Sequence, residues 1–214
     1  MKEDILEQIM EDYFVAKPGF FVKHNIKFRP NKEFIGYIAN QDSVHSDIDI
    51  LALNVNEKDC DRVFAVTCKS WQGGFNAKMW LDELEKEVEE HDKKSYGREK
   101  WKYFRELVVG KWTDAFIREI ENQTGSKAFT YIIACTRIVN NRNNEIQKLE
   151  QSKKILGRFA SMGAKVNIKV LTFDEIVRQY RDRIKDKETN AIESTEIGRL
   201  LQLISSSGVK INCD

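Results

Sequence analysis

Two neighbouring segments constrain this chain more than any others. SDIDILALN (46–54) and RVFAVTCKSW (62–71) both read as strands, with the charged turn NEKDCD (56–61) between them. The second is too apolar for a solvent-facing edge and belongs inside a sheet. Side chains alternate along a strand, so Ile48, Ile50 and Ala52 share one face of the first segment, and Asp47, Asp49 and Leu51 share the other. Thr67 and Lys69 share a face of the second. Two carboxylates and a lysine on consecutive apolar strands are expensive to bury unless they have chemistry to perform. The plainer alternative is an aspartate pair that caps a turn and a lysine that snorkels from a strand end.

The remaining pattern alternates helices and strands. Residues 2–16 predict a helix, with Ile5, Ile9 and Tyr13 in one row and Leu6, Met10 and Phe14 in the next, ended by Pro18-Gly19. Strands are expected at 20–29, 34–39, 129–136 and 165–172, and helices at 76–92, 99–122, 143–161, 173–186 and 195–207. This order predicts an α/β fold, a mixed central sheet flanked by helices. Residues 1–186 are expected to form one domain and 187–214 a helical C-terminal extension.

Charge and composition exclude several function classes. Lys+Arg numbers 35 against 34 Asp+Glu, a net charge of +1, so the chain is no globally basic nucleic-acid binder. Any nucleic-acid footprint must come from local segregation of charge. No apolar run is long enough to span a bilayer, and MKEDILEQIMEDYF carries acids where a signal peptide would be apolar. A cytoplasmic protein with no membrane partner is expected. Cys60, Cys68, Cys135 and Cys213 lack C-x-x-C spacing and read as free thiols, and His24, His45 and His91 are not spaced with them as zinc ligands.

The acids and the lysine point to phosphodiester chemistry. Carboxylates suit Mg²⁺, which takes oxygen ligands and keeps waters for a phosphate. A lysine beside them orients an attacking water and neutralises phosphate charge. SDIDILAL followed by VFAVTCKSW resembles the core of the PD-(D/E)XK, or restriction-endonuclease-like, nuclease superfamily, in which an Asp on one strand precedes Glu-x-Lys on the next. Glu7 on the first helix and the Gly19-Phe20 strand start fit the same pattern. The resemblance covers about residues 1–75. It implies that Asp49 is the metal-binding acid, with Asp47 where a subset of the family has a second one, and that Lys69 is the catalytic lysine. It implies a supporting contact for Glu7.

Thr67 departs from the pattern, since it stands where the family has Glu. Either the site has lost its chemistry and the protein binds without cutting, or the carboxylate has moved. A branch of restriction enzymes takes its Glu from the following helix, and Glu83 lies at that offset from Lys69. Seven acids crowd residues 82–92, so a solvated acidic face is the plainer reading of Glu83. Ser70, Trp71 and Gln72 leave the catalytic strand as candidate nucleic-acid contacts, against core packing for Trp71. His45, just before the acidic strand, is either a substrate contact or merely exposed. Two stretches are locally basic: 93–112 has seven cations against Glu99 and Glu106, and 137–158 has six against Glu145 and Glu150. Lys100, Lys102 and Arg142 are their candidate phosphate contacts, the last in the loop VNNRNNE (139–145). The expected activity is Mg²⁺-dependent nuclease cleavage, with Mn²⁺ as the substitute ion and DNA ahead of RNA as substrate. Asp49, Asp47 and Glu83 would hold the metal, and double-strand cutting would suit a homodimer. The competing expectations are a nuclease fold that binds nucleic acid without cutting it, and an unrelated α/β protein whose acids and Lys69 form a structural ion pair.

Overall fold

β-branched and aromatic residues with a period of two assemble the strands edge to edge. The computed structural model describes residues 4–86, 100–185 and 196–207. The strands are β1 (Phe20–Phe28), β2 (Ser46–Asn54), β3 (Val63–Lys69), β4 (Phe75–Asn76), β5 (Ala128–Cys135), β6 (Ile138–Val139) and β7 (Lys165–Thr172). Five of them form one mixed sheet in the order β1-β2-β3-β5-β7, and β4 and β6 pair separately. β1, β2 and β3 run antiparallel to one another, while β3, β5 and β7 are parallel. Parallel neighbours need long crossovers, and helices supply them. The helices are α1 (Ile5–Val15), α2 (Ala39–Asp42), α3 (Ala77–Glu85), α4 (Arg105–Val108), α5 (Gly110–Thr124), α6 (Glu145–Glu150), α7 (Lys153–Ser161), α8 (Phe173–Lys185) and α9 (Glu196–Ser206).

The sheet separates two cores. On one face Leu6, Met10 and Phe14 of α1 and Ile176 of α8 pack on Ile50, Ala52, Val66 and Ile132. α9 lies against α1 and α8. On the other face Trp80, Leu107, Phe116, Leu149 and Phe159, one from each of α3 to α7, cover Leu51, Ala65, Tyr131 and Ile133. Each such buried side chain contributes about 1.5–3 kcal/mol of transfer free energy. Among the described residues no helix is long and apolar enough to cross a membrane.

The α/β class and the mixed, helix-flanked sheet agree with expectation. Several local readings do not. Residues 34–39 form turns rather than a strand, with Tyr37 N–H donating to Phe34 C=O at 3.0 Å. The segment is tied down by Asp42, 1% exposed, whose carboxylate accepts from Ile38 N–H (2.7 Å), Lys111 (2.6 Å) and Trp112 Nε1 (3.2 Å). The helix expected over 99–122 is split into a 3₁₀ turn at Lys100–Tyr103, α4 and α5, because the backbone leaves the helical region at Phe104 and again at Val109. The helix expected over 143–161 breaks at Gln151–Ser152, where the Ser152 hydroxyl caps α7. Part of the expected helix 76–92, with its acids beyond Lys86, lies outside the described residues, as do Lys93, Lys94, Arg98 and Cys213. Cys60, Cys68 and Cys135 are free and buried.

The alternation of β2 also inverts. Ile50 and Ala52 face α1, but Ile48 packs in the other core with Ile26 and Phe28. β1 inverts at the same level: Phe20 and Val22 pack towards α1, while Ile26 and Phe28 do not. Asn25 lies between these sets with φ +50°, the left-handed region that asparagine tolerates better than branched residues. Asp49 stands opposite this kink.

Candidate active site

The site forms where β2 and β3 part. Their ladder runs from Leu53–Val63 to Ile50–Val66 and stops. Beyond it β2 stays paired with β1 as far as Ser46–Phe28, and β3 with β5 as far as Lys69–Cys135. The two strands therefore diverge and leave a notch at one end of the sheet. Asp49 opens it. Its Oδ2 accepts the backbone N–H of Cys68 at 2.5 Å, replacing the ladder bond that a buried donor would otherwise lack. Burial pushes the Asp49 carboxyl up, opposed by the Lys69 charge and the Cys68 N–H.

Lys69 ends β3 on the other side of the notch. Its Nζ donates to Thr67 Oγ1 at 2.7 Å and lies 5.4 Å from the Phe104 ring centroid. Thr67 is only 7% exposed, and its hydroxyl helps hold the Asp49 carboxyl down. Tyr131 donates to Glu106 Oε1 at 2.5 Å. Two hydrogen-bonded pairs, Lys69–Thr67 and Tyr131–Glu106, thus lie behind the notch. Burial raises the Glu106 carboxyl above the usual range, against the pull of the Tyr131 hydrogen bond. It raises the Tyr131 phenol too, helped by the Glu106 charge.

Glu7 reaches the notch from the opposite face of the sheet. Helix α1 buries Leu6, Ile9, Met10 and Phe14, which leaves Glu7 half-buried at its edge. The start of α1 is pinned to β3: Asp4 caps Leu6 N–H at 2.8 Å through Oδ1, and its Oδ2 accepts from the Ser70 hydroxyl. Burial, then the charges of Asp49, Asp4 and Asp47, push Glu7 up to about 7, with Lys69 pulling the other way. Glu7, Asp47, Asp49 and Lys69 therefore share one electrostatic site.

The other expected residues lie as follows. Glu83 stays on α3, where its carboxylate accepts from Lys86 at 3.1 Å. The charges acting most strongly on Asp49 are those of Lys69 and Asp47. Ser70 serves as the α1 clamp. Trp71 is half-buried, stacked on Trp80 at 5.1 Å with Phe104 edge-on at 6.3 Å, so its ring packs in an aromatic cluster. Gln72 is exposed, and its carbonyl accepts from Arg137 at 3.4 Å. Lys100 and Arg142 are exposed, and Lys102 is half-buried over the Trp101 ring at 5.6 Å. The asparagine-rich loop has a local role: Asn140 and Asn144 take positive φ, and Asn141 Oδ1 accepts from Ile146 N–H at 3.0 Å.

Glu106 and Tyr131 did not stand out in the sequence. A glutamate in a basic, helical stretch reads as solvated. A phenol in the middle of FTYIIACT was the available signal, since a buried hydroxyl needs a partner. No family model matches the chain, and no curated protein or solved structure matches it at a significant level.

Proposed function

We propose that this protein is a metal-dependent phosphodiesterase of the restriction-endonuclease-like type, acting on nucleic acid and on DNA ahead of RNA. One observation carries the reading: Asp49 and Lys69 flank the notch where the antiparallel strands β2 and β3 part, and Glu7 lies close enough that the charges of Asp49 and Asp47 disfavour its ionised form. Three acids against one ammonium call for a further cation. Their oxygens are the hard donors that Mg²⁺ prefers, so the donor set fits that ion, with Mn²⁺ as a substitute. Asp49 would hold it, with Asp47 and Glu7 in support. When bound, the ion would supply Lewis-acid stabilisation of phosphate charge.

The chain's own groups account for the rest. Lys69 is fixed by the Thr67 hydroxyl, which leaves its remaining protons to orient a water or a phosphate oxygen. Phe104 shields one side of that ammonium. Asp49 is fixed by Cys68 N–H, so its second oxygen keeps a set direction into the notch.

A second reading is favoured by a specific observation. Thr67 brings no charge, and among the described residues no three His, Cys, Asp or Glu side chains already form a group that would hold a metal ion. On that reading the fold binds nucleic acid without cutting it. Incubation with plasmid DNA in Mg²⁺, Mn²⁺ or EDTA separates the two. Cleavage in the divalent ions, absent in EDTA, is expected, with Asp49→Ala and Lys69→Ala inactive while still folding cooperatively. A wild type that binds but never cuts, and a Thr67→Glu variant that does cut, would establish the second reading instead.

A further inference from the structure

A cleft of about 230 Å³ opens between the β1 edge of the sheet and α5, lined by Lys27, Arg29, His45, Arg118, Glu119 and Asn122. Register places it at the same end of the sheet as the notch. Lys27 pairs directly with Asp47, and Phe28 with Ser46, the residue after His45. Adjacent strands lie about 5 Å apart, so the cleft begins one strand from the candidate metal-binding acids.

Its charge is not neutralised from within. Lys27 and Arg29 are exposed and have no carboxylate partner among the described residues. Arg118 is held by Asp114 through Nε at 2.9 Å, while its Nη2 has no hydrogen-bond partner among the described residues. Glu119, the single acid of the lining, accepts from Gln123 at 2.7 Å. By contrast, two cations of the locally basic stretch 93–112 are already committed. Lys111 is bound to Asp42, and Arg105 stacks on Trp112 at 4.7 Å. The cleft therefore holds uncommitted positive charge directly beside the acidic notch, where a strand crossing that end of the sheet would place its next phosphates.

We infer that this cleft seats a non-scissile phosphate of the nucleic-acid strand whose scissile phosphate lies at Asp49 and Lys69. The inference rests on the nuclease reading and adds the path of the substrate to it. Arg118 offers a fixed guanidinium, Lys27 and Arg29 add mobile cations, and Asn122 and His45 add hydrogen-bonding groups. Backbone contacts of this kind fix position and register rather than sequence.

The test is anisotropy of a labelled DNA duplex titrated with the full chain, in EDTA and again in Ca²⁺, across a salt series. The Lys27→Gln/Arg29→Gln double variant is expected to bind about tenfold more weakly, with a salt slope lower by about one to two. Arg118→Gln should weaken binding several-fold. Lys165→Gln, on a lysine paired with Asp59 elsewhere on the surface, should bind as the wild type does. Unchanged melting curves would confirm that all variants fold. If the wild type binds DNA and the cleft variants match it in affinity and slope, the cleft assignment is wrong while the nuclease reading stands. If the wild type binds neither duplex nor single strand at low salt, both fall together.

Discussion

Glu7 is the residue on which the electrostatics of the site concentrate. Its carboxyl moves from an ordinary 4.5 to about 7, through burial and then three neighbouring acids. A raised folded-state pKa means that folding prefers the protonated acid. The stability it contributes is complete below about 4.5 and is lost as pH rises through about 7. Glu7→Gln, which keeps the shape and removes the charge, should therefore be nearly neutral at pH 4.5 and stabilising at pH 8. Urea denaturation at the two pH values measures this directly. A difference between the proteins that stays constant with pH would mean that Glu7 does not feel Asp49 and Asp47. Thr67 shows a different economy at the same scale. Its hydroxyl, buried beneath the lysine, accepts from Lys69 without adding a fourth acid to an already crowded notch.

At the scale of elements, the notch depends on a kink that the strand pattern conceals. Asn25 adopts φ +50° at the level where β1 and β2 exchange the faces they present to the two cores. A branched side chain in that conformation costs about 1–2 kcal/mol, so Asn25→Val should lower stability by that amount and Asn25→Gly by much less. Thermal melts check this, and equal loss in both variants would mean that the backbone there tolerates an ordinary strand geometry. The sequence exposed β2 and β7 to their exact ends, because SDIDILALN and KVNIKVLT combine branched residues with clear boundaries. It brought Asp49 and Lys69 to attention because charge stands out inside apolar strands. It concealed the inversion at Asn25, since the period of two assumes uniform twist. It also concealed the breaks at Val109 and Gln151, where residues of good helix propensity continue on both sides and the Ser152 cap is easily read as an ordinary helical serine. Glu106 was illegible for a related reason: whether a helical acid is solvated or buried depends on which sheet residue faces it, and here that residue is Tyr131, across 25 positions of sequence.

For the whole molecule, a net charge of +1 disguises a segregated surface. The acids Glu7, Asp47 and Asp49 occupy the notch, and Lys27, Arg29 and Arg118 occupy the neighbouring cleft, all at one end of the sheet. A cation that binds the folded acids and not the unfolded chain must stabilise the entire fold by mass action. At one hundred times its dissociation constant that is about 2.7 kcal/mol, or roughly 5–10 °C in melting temperature for a chain of this size. Protons compete for the same oxygens. With Glu7 titrating at about 7, the shift produced by a fixed Mg²⁺ concentration should be larger at pH 8 than at pH 6. Asp49→Asn should remove most of it at both values, because on the proposed reading Asp49, fixed by the Cys68 N–H, would hold the ion. Differential scanning fluorimetry with Mg²⁺, with K⁺ at matched ionic strength as the control, reads this without requiring turnover. An equal response of wild type and Asp49→Asn, or a larger shift at pH 6 than at pH 8, would mean that any bound ion sits elsewhere. In that case the acids of the notch balance Lys69 alone.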